Sequence, residues 1–405
     1  MSHSFSVLIL DGSDYGVLKV LRCLGQSPEV TSHILSRDRK PAAGYSRYCY
    51  RCHYNTSHND MEWIRTIKDI IEKYNIDVLL PTTIESIEFV SRNYEVLNKI
   101  ASVPPTPNVE QLKVTQDKWS FYCFVKGKEL PVAQTLFFAD GANIICEPHD
   151  LDSFEFPALL KPTKEMGGRG IIKIESSSDL YNIIQRQKVF QPGQRYIIQS
   201  HIPGEDICLG ALCKQGKILS YVLQKDIFPS NNSYRHQQVM EYVHNDRVIE
   251  VGSRLVSSMA WNGMAFIDFR IDKRDNSIKL LEVNPRLGRA FLGALSAGVN
   301  FPLDLCLSAL DLNISDKQRE AVRYAHPSAY FKILKSRIKG KTAPVKLKWH
   351  ESGLRYSVSD PLPEFVEIFH QMKRIKLFHF LSLRKQKKKD EGSVKKANVT
   401  PFECN

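Results

Sequence analysis

The sequence predicts a chain of mixed α/β and α+β class, with a parallel α/β unit at the N-terminus, antiparallel strand-rich structure after it, and a basic C-terminal extension. Three observations carry this. Short apolar strands alternate with amphipathic helical stretches over residues 5 to 105. Strands in antiparallel pairs with turn signals dominate from Phe156 to Asn284, and Lys and Arg become dense after about residue 312. At 405 residues, 42% of them hydrophobic, the chain is too long for one core and predicts two to four units.

In order, Val7 to Leu10 reads as a buried strand, Asp11 to Tyr15 as a loop, Val17 to Leu24 as a helix, and Val30 to Leu35 as a second strand. Trp63 to Tyr74 then predicts a helix and Val78-Leu79-Leu80 a strand. Strands alternating with helices imply a parallel sheet. Ligands of such sheets sit beyond the carboxyl ends of the strands, which points to Asp11–Asp14 and to Pro81-Thr82-Thr83-Ile84-Glu85. The first loop lacks the G-x-G-x-x-G pattern of a dinucleotide site. Pro104, Pro105 and Pro107 stiffen a connector and predict a boundary near residue 108, after which Val109 to Lys126 reads as one helical stretch.

Composition excludes several classes. No run reaches the ~18 apolar residues that span a bilayer, and Ser6 to Leu10 passes straight into Asp11-Gly12, too short for a signal-peptide core, so the expected location is cytoplasmic. Nine scattered cysteines fit reduced thiols rather than a disulfide framework. Cys49-Tyr50-Arg51-Cys52-His53 matches a haem-attachment spacing, but that chemistry belongs to exported proteins. The net charge of +12 is concentrated between Lys373 and Lys396 and marks a basic tail more than a basic fold.

Three constellations carry chemistry. In the first, a short strand, Ala158-Leu159-Leu160, ends in Lys161 and is followed by Gly167-Gly168-Arg169-Gly170 and another strand. Such a glycine hairpin can lower backbone N–H groups onto phosphates beside a lysine, and no Gly-Lys-Ser/Thr follows to make it a Walker loop. In the second, the strand Arg195 to Ser200 runs through His201, Ile202 and Pro203-Gly204 to Glu205 and Asp206, which suits a purine edge and ribose hydroxyls. The third is the most specific. Ala265 to Ile271 and Ile278 to Asn284, folded as a hairpin centred on Asp275, pair Ile267 with Val283, Phe269 with Leu281 and Asp268 with Glu282. Alternation adds Asn284 to the acidic face, with Arg286 just past the strand. Two carboxylates paired across a ladder repel unless a proton or cation lies between them, and Asp, Glu and Asn oxygens suit magnesium.

The order Lys161, Gly167 to Gly170, Gln199 to Asp206, Asp268, Glu282, Asn284 resembles the ATP-grasp superfamily, which includes D-alanine:D-alanine ligase, biotin carboxylase and carbamoyl-phosphate synthetase. The resemblance covers roughly residues 5 to 310. It implies a substrate-side domain over residues 1–108, a two-lobed ATP-grasp unit with its small lobe at 109–190 and its large lobe at 191–312, and an extension at 313–405. It implies ATP as cosubstrate, with Lys118 and Lys161 at the phosphates and Gly167, Gly168 and Gly170 in the flap. Gln199, Ser200, His201 and Ile202 become the adenine hinge, and Asp206 or Glu205 the ribose acceptor. Asp268, Glu282 and Asn284 become ligands of magnesium, or of manganese in its place, and Arg286 joins Lys161 in catalysis. Thr82, Thr83, Glu85 and Arg235 are candidate substrate contacts.

The activity so implied is ligation of a carboxylate, through an acyl phosphate, to an amine, with amino-acid or peptide-like substrates. The alternatives are an ATP-dependent carboxylase, a carboxylate kinase, or a non-catalytic nucleotide-binding scaffold, the last of which expects losses among the metal ligands that this sequence does not show. Partners are the small-molecule substrates, and a homodimer is compatible with the class. Apolar residues from Phe365 to Leu383 precede the basic run, which suits peripheral contact of residues 363–396 with an anionic membrane. A basic cluster without readout elements argues against nucleic acid.

Overall fold

The N-terminal strands are β1 (Phe5–Ile9), β2 (Val30–Ser36), β3 (Arg51–Tyr54) and β4 (Val78–Leu80), hydrogen-bonded in the order β3-β2-β1-β4 and parallel throughout. The structure is a computed structural model describing residues 4–372 except 142, 166, 187–189, 229–238, 289–290, 315–321 and 339–344. The run Val7 to Leu10 is apolar at every position because both faces are covered. Val7 and Ile9 pack on helix Tyr15–Leu24, and Leu8 and Leu10 on Trp63, Ile67 and Ile71 of helix Asp60–Tyr74. In the Cys49 to His53 motif, Cys49 and Tyr50 lead into edge strand β3, which holds Arg51, Cys52 and His53 and which the sequence reading did not recognise, and the cysteines among the described residues are free.

Because β1 and β4 are neighbours, their loops meet. Thr82 Oγ1 lies 3.3 Å from Asp11 Oδ2, and the Thr83 N–H donates to the same oxygen at 3.2 Å. Asp11 takes a positive φ of 65° there.

The stretch from Val109 to Lys126 is two helices, Val109–Thr115 and Lys118–Gly127, rather than one. Asp117 breaks it: its carboxylate caps the second helix at Ser120 N–H (3.0 Å) and holds Arg195 at 2.6 Å.

Next come β5 (Thr135–Asp140), β6 (Asn143–Ile144), β7 (Ala158–Pro162), β8 (Ile172–Ile174) and β9 (Arg195–Ser200), an antiparallel sheet ordered β6-β5-β9-β7-β8. Its core, which includes Phe138, Leu160, Ile174, Phe190 and Ile198, draws on residues between 136 and 198 alone.

The third sheet contains β10 (Gly204–Lys214), β11 (Lys217–Asp226), β12 (Val239–Tyr242), β13 (Gly263–Asp272), β14 (Ile278–Asn284) and β15 (Arg323–Ala325), ordered β14-β13-β10-β11-β12-β15 and antiparallel. One face covers Phe121, Val248, Leu255 and Trp261. The other joins Cys208, Tyr242 and Phe266 to Phe291, Phe301 and the N-terminal helix residues Val17 and Leu21. β9 thus belongs to the sheet preceding the break expected at 190/191, and β15 extends the third sheet past residue 312.

Arg22 ties the C-terminal segment back to the first helix. Its Nε lies 3.3 Å from Asp360 Oδ2 and its Nη2 3.1 Å from Glu364 Oε1, while Ser46 Oγ and the Arg47 N–H also donate to Asp360. The Arg22 and Asp360 side chains are 3% and 2% exposed. Residues 362–372 are helical, with Phe365, Ile368, Phe369 and Met372 exposed, and the basic run from 373 to 396 lies outside the described residues. No single helix among the described residues is long and apolar enough to cross a membrane.

Candidate active site

The β13–β14 ladder sets Asp268 opposite Glu282 and Ile267 opposite Val283. The expected Phe269–Leu281 pair does not form. A bulge after Asp268 shifts the register, and Phe269 faces Leu280. The bulge reconciles two demands: Leu280 and Val283 are an odd number of positions apart, yet both are buried in one core.

Asn284 stands beside the two carboxylates, its Nδ2 3.4 Å from Asp268 Oδ2 and 3.3 Å from Glu282 Oε1. Burial, then the charge of Glu282, hold the Asp268 carboxyl well above the usual carboxylate range, while the thiol of Cys208, across the ladder, opposes the shift. Two carboxylates and one amide oxygen form a hard-oxygen set, and no group of three His, Cys, Asp or Glu side chains placed to hold a metal ion by themselves occurs among the described residues. That donor chemistry fits magnesium or manganese rather than zinc.

Two lysines converge on the acidic face. Lys118, at the start of its helix, lies 3.7 Å from Glu282 Oε2 and donates to the Glu165 carbonyl at 2.6 Å. Lys161, near the end of β7, donates to Gln199 Oε1 at 2.8 Å, and Gln199 donates in turn to Thr135 Oγ1 at 2.9 Å. Burial and the neighbouring Lys118 charge push the Lys161 ammonium down to about 8. Between β7 and β8, Gly167, Gly168 and Gly170 all take positive φ, near 70°. At Gly170 an added Cβ would also lie 2.8 Å from Pro162 Cγ.

Past β9 the chain is fixed by two backbone bonds, Ser200 N–H to the Gln134 carbonyl and His201 N–H to the Pro157 carbonyl. Among the described residues, Ile202 N–H makes no backbone hydrogen bond, while its carbonyl accepts from Arg270. Arg270 also holds Asp206 at 2.6 Å. The β10–β13 register separates the two ribose candidates: Asp206 pairs with Arg270, two residues from Asp268 on the same face, whereas Glu205 pairs with Ile271 and alternates to the other.

The remaining candidates divide. Arg286 lines a cavity of about 20 Å³ with Pro81, Pro105 and Pro285, so it lies against the loop after β4. Thr82 and Thr83 spend their groups on Asp11 and on capping helix Ile84–Arg92, and Glu85 is exposed on its first turn. Arg235 lies outside the described residues. The sequence reading missed Arg270, although its place two residues after Asp268 in an alternating strand marks it for the same face, and it missed Cys208 because only the third strand brings it opposite Asp268.

The ATP-grasp family, described as an ATP-grasp domain, matches residues 115–289, the span that contains both lysines and the acidic face. Residues 115–289 form an ATP-grasp domain. The carbamoyl-phosphate synthase of Methanobrevibacter smithii is 24% identical over 272 residues, 64% of this chain and 70% of that protein. The multifunctional protein ura1 of Schizosaccharomyces pombe is 23% identical over 41% of this chain, yet the match spans 7% of its length. An ADP complex of purK, an N5-carboxyaminoimidazole ribonucleotide synthetase, has the same fold with TM-score 0.62 at 13% identity, covering 84% of this chain and 86% of that one. The L-amino acid ligase from Bacillus licheniformis follows with TM-score 0.57 at 14% identity, covering 80% and 79%. The ATP-grasp fold therefore extends beyond the matched span to both flanking regions.

Proposed function

We propose that this protein is an ATP-dependent ligase that activates a carboxylate as an acyl phosphate and passes it to an amine, with amino-acid or peptide-like substrates. The observation that carries this reading is the convergence of Lys118, Lys161 and the Asp206–Arg270 pair around the face shared by Asp268, Glu282 and Asn284. A carboxylate resists an amine until one oxygen becomes a good leaving group, and phosphoryl transfer from ATP provides that. Donor and acceptor are both anions, so catalysis consists of positioning and charge neutralisation.

In this reading Lys118 and Lys161 hold the phosphates of ATP, with Gln199 aiming Lys161. The backbone from Ser200 to Ile202 receives adenine, and Asp206 the ribose. Magnesium held by Asp268, Glu282 and Asn284 would neutralise phosphate oxygens during transfer. The loop at Gly167 to Gly170 covers the phosphates and keeps water from the acyl phosphate. Arg286, against the N-terminal loop, holds the carboxylate being activated. The substrate-side role of residues 1–108 and homodimerisation belong to the same proposal. So does contact with an anionic membrane, which the exposed Phe365, Ile368, Phe369 and Met372 at helical spacing support, and which co-sedimentation with phosphatidylserine vesicles tests.

The deciding experiment is ADP release from magnesium-ATP by wild type and Glu282→Gln, across pooled amino acids and hydroxy acids. Acceptor-dependent release that the variant loses supports the ligase. The absence of both turnover and a magnesium-ATP shift in melting temperature refutes it.

A further inference from the structure

A cavity of about 480 Å³ opens at the edge of the third sheet farthest from the acidic face, lined by Leu295, Ser296, Arg323, Lys348, Glu351 and Arg355, among others. It is remote from Asp268. One ladder row runs Asp268, Cys208, Gln224, Tyr242, and the Tyr242 N–H donates to the carbonyl of Val322, which lines the cavity. Four inter-strand steps of about 4.8 Å place the cavity roughly 19 Å from the acidic pair. An occupant there is a second ligand, apart from the nucleotide.

The lining carries three full cations and one carboxylate. Glu351 turns one oxygen back to the Lys348 N–H at 2.6 Å. Arg323 is paired at 3.0 Å with Glu241, but Glu241 also serves Lys225 at 3.8 Å. Arg355 is half-buried and has only neutral partners among the described residues: it donates to Ser296 Oγ at 2.8 Å and Tyr356 Oη at 2.6 Å and stacks over the Tyr356 ring. Among the described residues Lys348 has no ion pair. A half-buried guanidinium paired with neutral groups is open to an anion, and its planar fork matches phosphate geometry. The volume lies in the range of small-metabolite sites.

We infer that this cavity binds the phosphate group of a second, phosphorylated small molecule, with Arg355 and Lys348 as its principal contacts and Ser296 as an additional donor. The assignment is independent of the ligase reading.

The test is calorimetric titration of inorganic phosphate into protein saturated with magnesium-ADP, at constant ionic strength set with chloride. Wild type should bind phosphate at one site. Arg355→Met should weaken it about tenfold or more, and the exposed Lys348→Ala about threefold, in line with the loss of charge-assisted bonds. Both should keep wild-type affinity for magnesium-ADP, which also certifies their fold. No binding by wild type, or equal binding by wild type and both variants, overturns the assignment. A panel of phosphorylated and unphosphorylated acceptors then separates the sources. ADP release confined to phosphorylated compounds, with KM raised and kcat kept in Lys348→Ala, identifies a substrate phosphate, and release indifferent to phosphorylation identifies an effector.

Discussion

Asp268→Asn should have opposite signs in two assays, stabilising the metal-free protein and abolishing its response to magnesium-ATP. Asn284 Nδ2 stands 3.4 Å from Asp268 Oδ2 and 3.3 Å from Glu282 Oε1, so those oxygens are at most about 6.7 Å apart, and two unit charges at that distance repel by about 2.5 kcal/mol at an effective dielectric of ~20. Solvent reaching this half-buried pair reduces the figure to about 1–2 kcal/mol. Asn has nearly the same shape, so loss of charge dominates at pH 9, where the Asp268 carboxyl, pushed up to about 8, is ionised, and relief of the repulsion should raise the melting temperature in EDTA at that pH by a few degrees. Wild type should gain about 2.7 kcal/mol from magnesium-ATP at a hundred times its Kd, and the variant almost none. A variant less stable than wild type in EDTA would show that Asp268 serves the fold, and one that keeps the magnesium-ATP shift would remove it from the metal set. Either result refutes the reasoning.

Three further outcomes follow from other residues. Lys161 titrates near 8 in the free site, and phosphate binding favours its charged form, so magnesium-ADP affinity should fall about tenfold from pH 7 to pH 9 in calorimetry, and Lys161→Arg should flatten that profile. Gly170→Ala forces a Cβ at φ 70° against Pro162, a strain of about 1–2 kcal/mol, and if the closed flap bears it ADP release should slow about tenfold, whereas an unchanged rate removes the flap from the slow step. Asp360→Asn leaves the buried Arg22 with Glu364 as its remaining carboxylate and should lower urea stability by about 1.5–3 kcal/mol, against under about 0.5 kcal/mol for Lys68→Ala, which breaks an exposed pair.

What the sequence disclosed followed the range of each signal. Alternation reveals faces, so Asp268, Glu282 and Asn284 group together on the strand pattern alone, and the both-sided burial of Val7 to Leu10 is legible in an unbroken apolar run. The bulge after Asp268 was hidden, because nothing local tells a strand to insert Leu281; the need arises only when Leu280 and Val283 must share one core. The break at Asp117 was hidden for a similar reason. Its partner Arg195 lies 78 residues away, and the stretch around it is otherwise good helix. Gln199 was read as part of a backbone hinge, whereas its side chain links Lys161 to Thr135, a role fixed by strand neighbours that no short motif encodes. The cavity by Arg355 gave no signal at all, since its lining comes from segments up to 60 residues apart.

The core of the five-stranded sheet is drawn from residues 136 to 198 alone, and the chain enters it near Gln134 and leaves it near Ile202. Such a block can melt without exposing the cores on either side, so it forms a cooperative unit with its own, smaller opening free energy. Amide protons in β7 and β9 should then exchange ahead of those in β10 and β13. A ligand bridging Lys161 to Asp268 would fuse the two units thermodynamically, raising protection in β7 and β9 toward that of their neighbours. Nucleotide occupancy would thus be recorded in the exchange rates of the whole five-stranded sheet, including strands that hold none of the proposed nucleotide contacts.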